Sequence, residues 1–102
     1  MLEKTLFSAI PGGRFSREEV AQSLGISVRS MQRKLSEENT TYQQEVQKVQ
    51  KLLALSYITD PEMSIDEIAC LIGYSEQPAF SRAFKNWTGM TVTQYRKQDA
   101  SR

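Results

Sequence analysis

Two arginines, Arg33 and Arg82, each stand two residues beyond an apolar position, Met31 and Phe80, and each apolar residue is answered four residues later by another, Leu35 and Phe84. On a helix an apolar pair at that spacing shares one face, and the arginine between its members is turned away from it. A guanidinium carried there can meet O6 and N7 of a guanine together in the major groove of a duplex. Each residue of the second set lies 49 positions after its counterpart (82 against 33, 80 against 31). A solvated surface arginine would explain either residue alone; the pairing favours base readout. Other chemistries have no candidates. The chain has no histidine and one cysteine, Cys70, so a Cys/His zinc site is not available. It has no glycine-rich phosphate loop and no recognisable carboxylate pair. No catalytic residue, metal or cofactor is assigned, and the chain is not expected to be an enzyme.

The elements that must hold the two arginines are repeated in the sequence. Glu19-Val20-Ala21-Gln22-Ser23-Leu24-Gly25-Ile26-Ser27 returns as Glu67-Ile68-Ala69-Cys70-Leu71-Ile72-Gly73-Tyr74-Ser75, 48 positions later (67 against 19). Ala21 and Ala69 are small enough to let a following helix cross closely. Gly25 and Gly73 suit a left-handed exit from the helix. Ile26 and Tyr74 are placed to plug the space between the helices. Ser27 and Ser75 sit where a hydroxyl can accept from the first N–H groups of the next helix. The offset then grows to 49, so the second copy holds one extra residue near Pro78, in its turn or helix start. Two helix-turn-helix units are the expectation.

Leu2, Leu6 and Ile10 mark a short amphipathic helix stopped by Pro11-Gly12-Gly13. Four later helix starts carry a hydroxyl followed three residues on by Glu or Gln: Ser16/Glu19, Thr41/Gln44, Ser64/Glu67 and Thr91/Gln94. The spacing predicts helices over about 2–10, 17–24, 28–38, 42–58, 65–72, 77–87 and 92–98. No alternating run argues for a strand, so the class is all-α with about seven helices. Tyr42, Val46, Val49, Leu53 and Tyr57 form one stripe of the longest helix, widened by Leu52 and Leu55, with Gln and Lys opposite. This reading makes the chain one domain, 1–102: subdomain one at about 1–41, a linker helix at about 42–58 and subdomain two at about 59–102. A helix of that length spans roughly 25 Å and would hold two reading heads at a fixed separation.

With 102 residues, 39% hydrophobic and 25% charged, the composition is that of an ordinary soluble protein with room for one core or two small lobes. No stretch is apolar enough to span a bilayer and the first residues do not open a signal peptide, so the cytoplasm is the default. Cys70, beside Ala69 in a helix, is expected to be a packed or partly buried thiol. The net charge of +1 looks unpromising for a polyanion, but its distribution is uneven. Arg14, Arg17, Arg29, Arg33 and Lys34 outweigh Glu18 and Glu19 by +3; Arg82, Lys85, Arg96, Lys97 and Arg102 outweigh Glu76 and Asp99 by +3; residues 35–73 carry −5. Positive charge gathers at the two reading helices.

From about Phe15 to Arg96 the chain resembles the C-terminal DNA-binding domain of AraC/XylS-type transcriptional regulators. The resemblance is most specific in Ile68-Ala69, Gly73-Tyr74-Ser75-Glu76-Gln77-Pro78-Ala79-Phe80-Ser81-Arg82-Ala83-Phe84-Lys85, Trp87-Thr88-Gly89-Met90-Thr91 and Gln94-Tyr95-Arg96. It implies two helix-turn-helix subdomains joined by the long helix, with their second helices in adjacent major-groove segments of double-stranded DNA. Carried over by position, Arg29, Gln32 and Arg33 contact bases or nearby backbone from the first reading helix, and Gln77, Ser81 and Arg82 from the second. Gln32 suits adenine, while Ser27 and Ser75 suit phosphates or capping. Met31, Phe80, Phe84, Trp87 and Tyr95 belong to the core rather than to stacking platforms.

The chain departs from the pattern at Val28 and Val92, where similar domains often carry Pro. Pro78 and Glu76 remove a donor and add a negative charge at the second reading helix. The resemblance also implies RNA polymerase as a partner, activation as the outcome, and an effector or dimerisation domain elsewhere in a longer parent chain. The alternative is a helix-turn-helix protein-interaction module without DNA sequence specificity. It would present apolar reading faces, which Arg29, Arg33 and Arg82 argue against.

Overall fold

The computed structural model describes residues 2–100; Arg102, counted above in the second basic cluster, lies outside them, as does the side chain of Asp99. Among the described residues there are seven helices and no strand: α1 (Glu3–Ala9), α2 (Arg17–Leu24), α3 (Val28–Glu37), α4 (Tyr42–Ile58), α5 (Ile65–Leu71), α6 (Gln77–Thr88) and α7 (Val92–Ala100). The chain divides into two compact units, Met1–Gln50 and Lys51–Arg102, with the division inside α4.

The helix starts follow from local hydrogen bonding. Thr41, Ser64 and Thr91 each accept from the backbone N–H three residues on, and the side chains of Gln44, Glu67 and Gln94 accept in return from the N–H of the capping residue. These reciprocal boxes satisfy two of the donors that a helix start leaves unpaired. Ser16 accepts from Glu19 N–H, but here the Glu19 carboxylate accepts from the Ser16 hydroxyl.

In the first unit, α1 packs on α2 and α2 on α3. Its core is aliphatic: Leu2, Leu6, Ile10, Val20, Ala21, Met31 and Leu35 are buried, with Tyr42, Val46 and Val49 from α4. In the second unit α5 packs on α6 and α6 on α7. There Ile68, Ala69, Ile72 and Val92 are buried around Phe80 and Phe84, with Leu53, Ala54 and Ile58 from α4.

Two expectations for α4 need correction. Leu52 is exposed, because in this half of α4 the buried residues are Leu53, Ala54 and Ile58, and Leu52 stands roughly 160° round the helix from Ala54. Gln50, assigned with the other Gln and the Lys residues to the polar side, is buried beside Val49, and Glu45, which that expectation did not place, is buried beside Val46.

Cys70 is exposed rather than packed. It follows the buried pair Ile68 and Ala69, and the helical turn carries it outward.

Arg96, counted as a cation for phosphate, is occupied inside the second unit. Its Nε donates to the carbonyl of Ile58 at 3.3 Å, and its Nη2 to the carbonyls of Asp60 and Met63. The guanidinium thus takes up carbonyls left over at the end of α4 and in the chain entering α5, where a cation also complements the helix dipole.

Candidate nucleic-acid interface

Both turns are built as the repeat demands. The N–H of Ile26 donates to Ala21 O at 3.1 Å and that of Tyr74 to Ala69 O at 2.9 Å; Gly25 N–H donates to Gln22 O and Gly73 N–H to Cys70 O. Gly25 and Gly73 have φ of +73° and +92°, the left-handed region that a side chain disfavours. Open space surrounds the Cβ position at Gly25, so the need for glycine there is conformational rather than steric.

After the turns the units differ. Val28 opens α3 with Ser27 as its N-cap, whose oxygen accepts from Ser30 N–H at 3.1 Å. In the second unit the additional residue moves the helix start, so Glu76 and not Ser75 is the N-cap of α6. Glu76 makes no side-chain capping bond, and Pro78 occupies the first turn. Ser75 therefore sits one residue ahead of the cap and does not fill the capping role expected of it.

Beyond the caps, the buried positions of α3 and α6 correspond at the offset of 49. Met31 and Leu35 are buried on α3, Phe80 and Phe84 on α6. The outward stripe of α3 is Arg29, Gln32, Arg33 and Ser36, all exposed. Its counterpart on α6 is Pro78, Ser81, Arg82 and Lys85, of which Ser81 is half-buried and the others exposed. The structure thus brings Arg29, Gln32 and Arg33 onto one face, and Ser81 and Arg82 onto the matching face. Gln77 does not join them: it is the first residue of α6, half-buried, equivalent to Val28. Ser36 and Lys85 complete the stripes and were missed as site residues, although the offset of 49 relates them (85 against 36).

The aromatic side chains of the second unit pack against one another. Phe80 and Phe84 have ring centroids 5.9 Å apart, Phe84 meets Tyr95 edge-on at 5.5 Å, and Tyr74 lies 6.1 Å from Phe80 and 6.4 Å from Trp87. Such tilted and edge-on pairs are the arrangements that ring quadrupoles favour, and they leave these rings as core, not as platforms for bases. Burial pushes the Tyr74 hydroxyl above its ordinary pKa. In the first unit burial pushes that of Tyr42 up to about 12, against the pull of the Arg17 guanidinium, and the Tyr42 hydroxyl donates to the carbonyl of Phe15. Both phenols keep their protons throughout the neutral range.

Among the described residues no group of acidic or sulfur side chains could hold a metal ion, and no helix is long and apolar enough to cross a membrane.

Two left-handed turns, each leading from a buried Ala into a helix with an apolar inner face and a polar outer stripe, define the class: paired helix-turn-helix units. The family model of the helix-turn-helix domain matches residues 20–98, and the chain belongs to the AraC-type family of helix-turn-helix DNA-binding domains. The chain is 42% identical over 94 residues to the ornithine utilization regulator of Pseudomonas aeruginosa, covering 92% of this chain and 28% of that protein. It is 36% identical over 87 residues to the HTH-type transcriptional regulator VirS of Mycobacterium tuberculosis, covering 85% and 26%. The chain therefore spans little more than a quarter of the curated relatives it matches. A crystal structure of a DNA-binding transcriptional dual regulator from Escherichia coli K-12 superposes with a TM-score of 0.86 at 28% identity, covering 99% of this chain and 94% of that one. The C-terminal domain of AraT, a response regulator from Geobacillus stearothermophilus, gives 0.80 at 26% identity, covering 95% and 81%.

Proposed function

We propose that the chain reads double-stranded DNA with α3 and α6 in adjacent major-groove segments, as the DNA-reading part of a transcriptional regulator. The observation that carries this reading is the recurrence, at one offset, of a polar outer stripe with an arginine at the same place on two helices that each follow a left-handed turn. Arg33 and Arg82 read guanine, Gln32 reads adenine, and Arg29 and Lys85 contact bases or the phosphates beside them. Ser27 and Ser75 stand where phosphates pass the helix starts. Gln77, half-buried at the start of α6 and off its stripe, is assigned the backbone rather than a base. The domain acts as a binder and not a catalyst, in the cytoplasm, with RNA polymerase as its protein partner and sensing or dimerisation carried by another part of a longer parent chain. The named regulators among its relatives, each several times longer than this chain, support that division of labour.

The test is the salt dependence of binding to a duplex selected from random sequence. If about six phosphates are neutralised, log affinity against log salt should fall with a slope of roughly −5. A slope near zero, with equal affinity for unrelated duplexes, would favour the protein-interaction alternative and overturn the reading.

A further inference from the structure

Beside the reading helix of the first unit lies a groove of about 320 Å³, walled by Arg17 at the start of α2, Gln32 and Ser36 on α3, Thr40 and Thr41 ahead of α4, and the ring of Tyr42. The Arg17 guanidinium carbon lies 5.5 Å from the centroid of that ring. A cation held over an aromatic face loses part of its side-chain freedom before any ligand arrives, which lowers the ordering penalty of a later contact. No carboxylate lines the groove among the described residues. Of the two acids next to Arg17, Glu18 lines an adjoining groove that shares Arg17 and Tyr42, and Glu19 accepts from the Ser16 hydroxyl at 3.0 Å, so neither lines this one. Two of the lining residues, Gln32 and Ser36, also belong to the outer stripe of α3, so the groove continues the reading face sideways.

We propose that this groove is a phosphate site, in which Arg17 takes a phosphate of the DNA backbone flanking the bases read by α3, with the hydroxyls of Ser36 and Thr40 beside it. The proposal rests on the DNA reading above and adds to it a contact that carries no sequence information. Arg17 opens α2, the first helix of the helix-turn-helix, which in such docking crosses the backbone while the second helix enters the groove. A planar guanidinium can give two parallel hydrogen bonds to one phosphate. The second unit carries no cation at the matching position. At the offset of 48 the position of Arg17 is taken by Ile65, which is half-buried. The grip is therefore one-sided, and it holds the first unit in register on the duplex whatever the base sequence.

The experiment measures binding of the whole chain to a selected duplex and to an unrelated one across a salt series, for wild type, Arg17→Gln and Arg17→Lys. Arg17→Gln is expected to flatten the slope by about 0.9, so that between ~50 and ~200 mM salt it loses roughly threefold less affinity than wild type does. Its ratio of affinities for the two duplexes should stay unchanged. Arg17→Lys keeps the charge and should keep the wild-type slope. A folded Arg17→Gln protein with the wild-type slope, or one whose base preference relaxes, overturns the phosphate site while the DNA reading stands. Absence of salt-dependent binding in wild type instead removes the DNA reading itself. Should Arg17→Gln fail to fold, duplexes neutralised one phosphate at a time by methylphosphonate give the same decision with wild type and Arg17→Lys. A phosphate at the edge of the first half-site whose neutralisation weakens wild type should have an altered effect in Arg17→Lys. Identical profiles for the two proteins overturn the proposal.

Discussion

The two units share a turn and differ in nearly everything around it. The first carries Arg29, Arg33 and Lys34 on its reading helix and Arg17 beside it, over an aliphatic core, and starts that helix with a hydroxyl cap. The second starts its reading helix with an uncapped Glu76 and a proline, and fills the space beneath with five aromatic rings. One of its cations, Arg96, is occupied with backbone carbonyls. A repeated motif therefore preserves the geometry of presentation without preserving what is presented. The first unit should therefore be the stronger electrostatic and base-reading partner, and the second should depend more on its packing.

The largest effect should come from testing that packing. Phe80→Ala removes a fully buried ring that meets Phe84 and Tyr74, and should lower stability by about 3–5 kcal/mol in urea unfolding. The equivalent Met31→Ala should lose less, because a flexible thioether leaves neighbours that can close in. A larger loss at Met31 would contradict the claim that the second unit depends more heavily on its core.

The next contrast concerns reading. Arg33→Ala should weaken binding to the selected duplex by about 1–3 kcal/mol and relax base preference in its half of the site. Arg82→Ala should do less, because its stripe holds Pro78 where α3 has Arg29, and Glu76 lies at its helix start. Equal losses in the two halves would erase the distinction between a stronger and a weaker reader.

The smallest effect sharpens the difference between the helix starts. Ser27→Ala should lower thermal stability by about 1 kcal/mol, since it removes an oxygen that accepts from Ser30 N–H. Ser75→Ala should stay within about 0.5 kcal/mol, as expected away from a cap. A loss at Ser75 matching that at Ser27 would restore it as a capping residue.

Elements defined by neighbours along the chain were legible in the sequence because the interactions that decide them reach only three to five residues. Hydroxyls followed three residues on by Glu or Gln marked the starts of α2, α4, α5 and α7, and the Ala-to-glycine spacing marked both turns. The inner anchors Met31, Leu35, Phe80 and Phe84 followed from helical periodicity, and with them the outward direction of Arg33 and Arg82. Even the missed stripe residues, Ser36 and Lys85, were available from the offset alone. What lay beyond reach was the use made of groups distant in sequence. Arg96 reads as one more surface cation until the fold brings it to Ile58, 38 residues away, where unpaired carbonyls need a donor. Arg17 reads as a charge among charges until Tyr42 is folded beneath it. A side chain's type and local spacing determine what it can do; which partner claims it depends on the packing of segments that the sequence keeps apart.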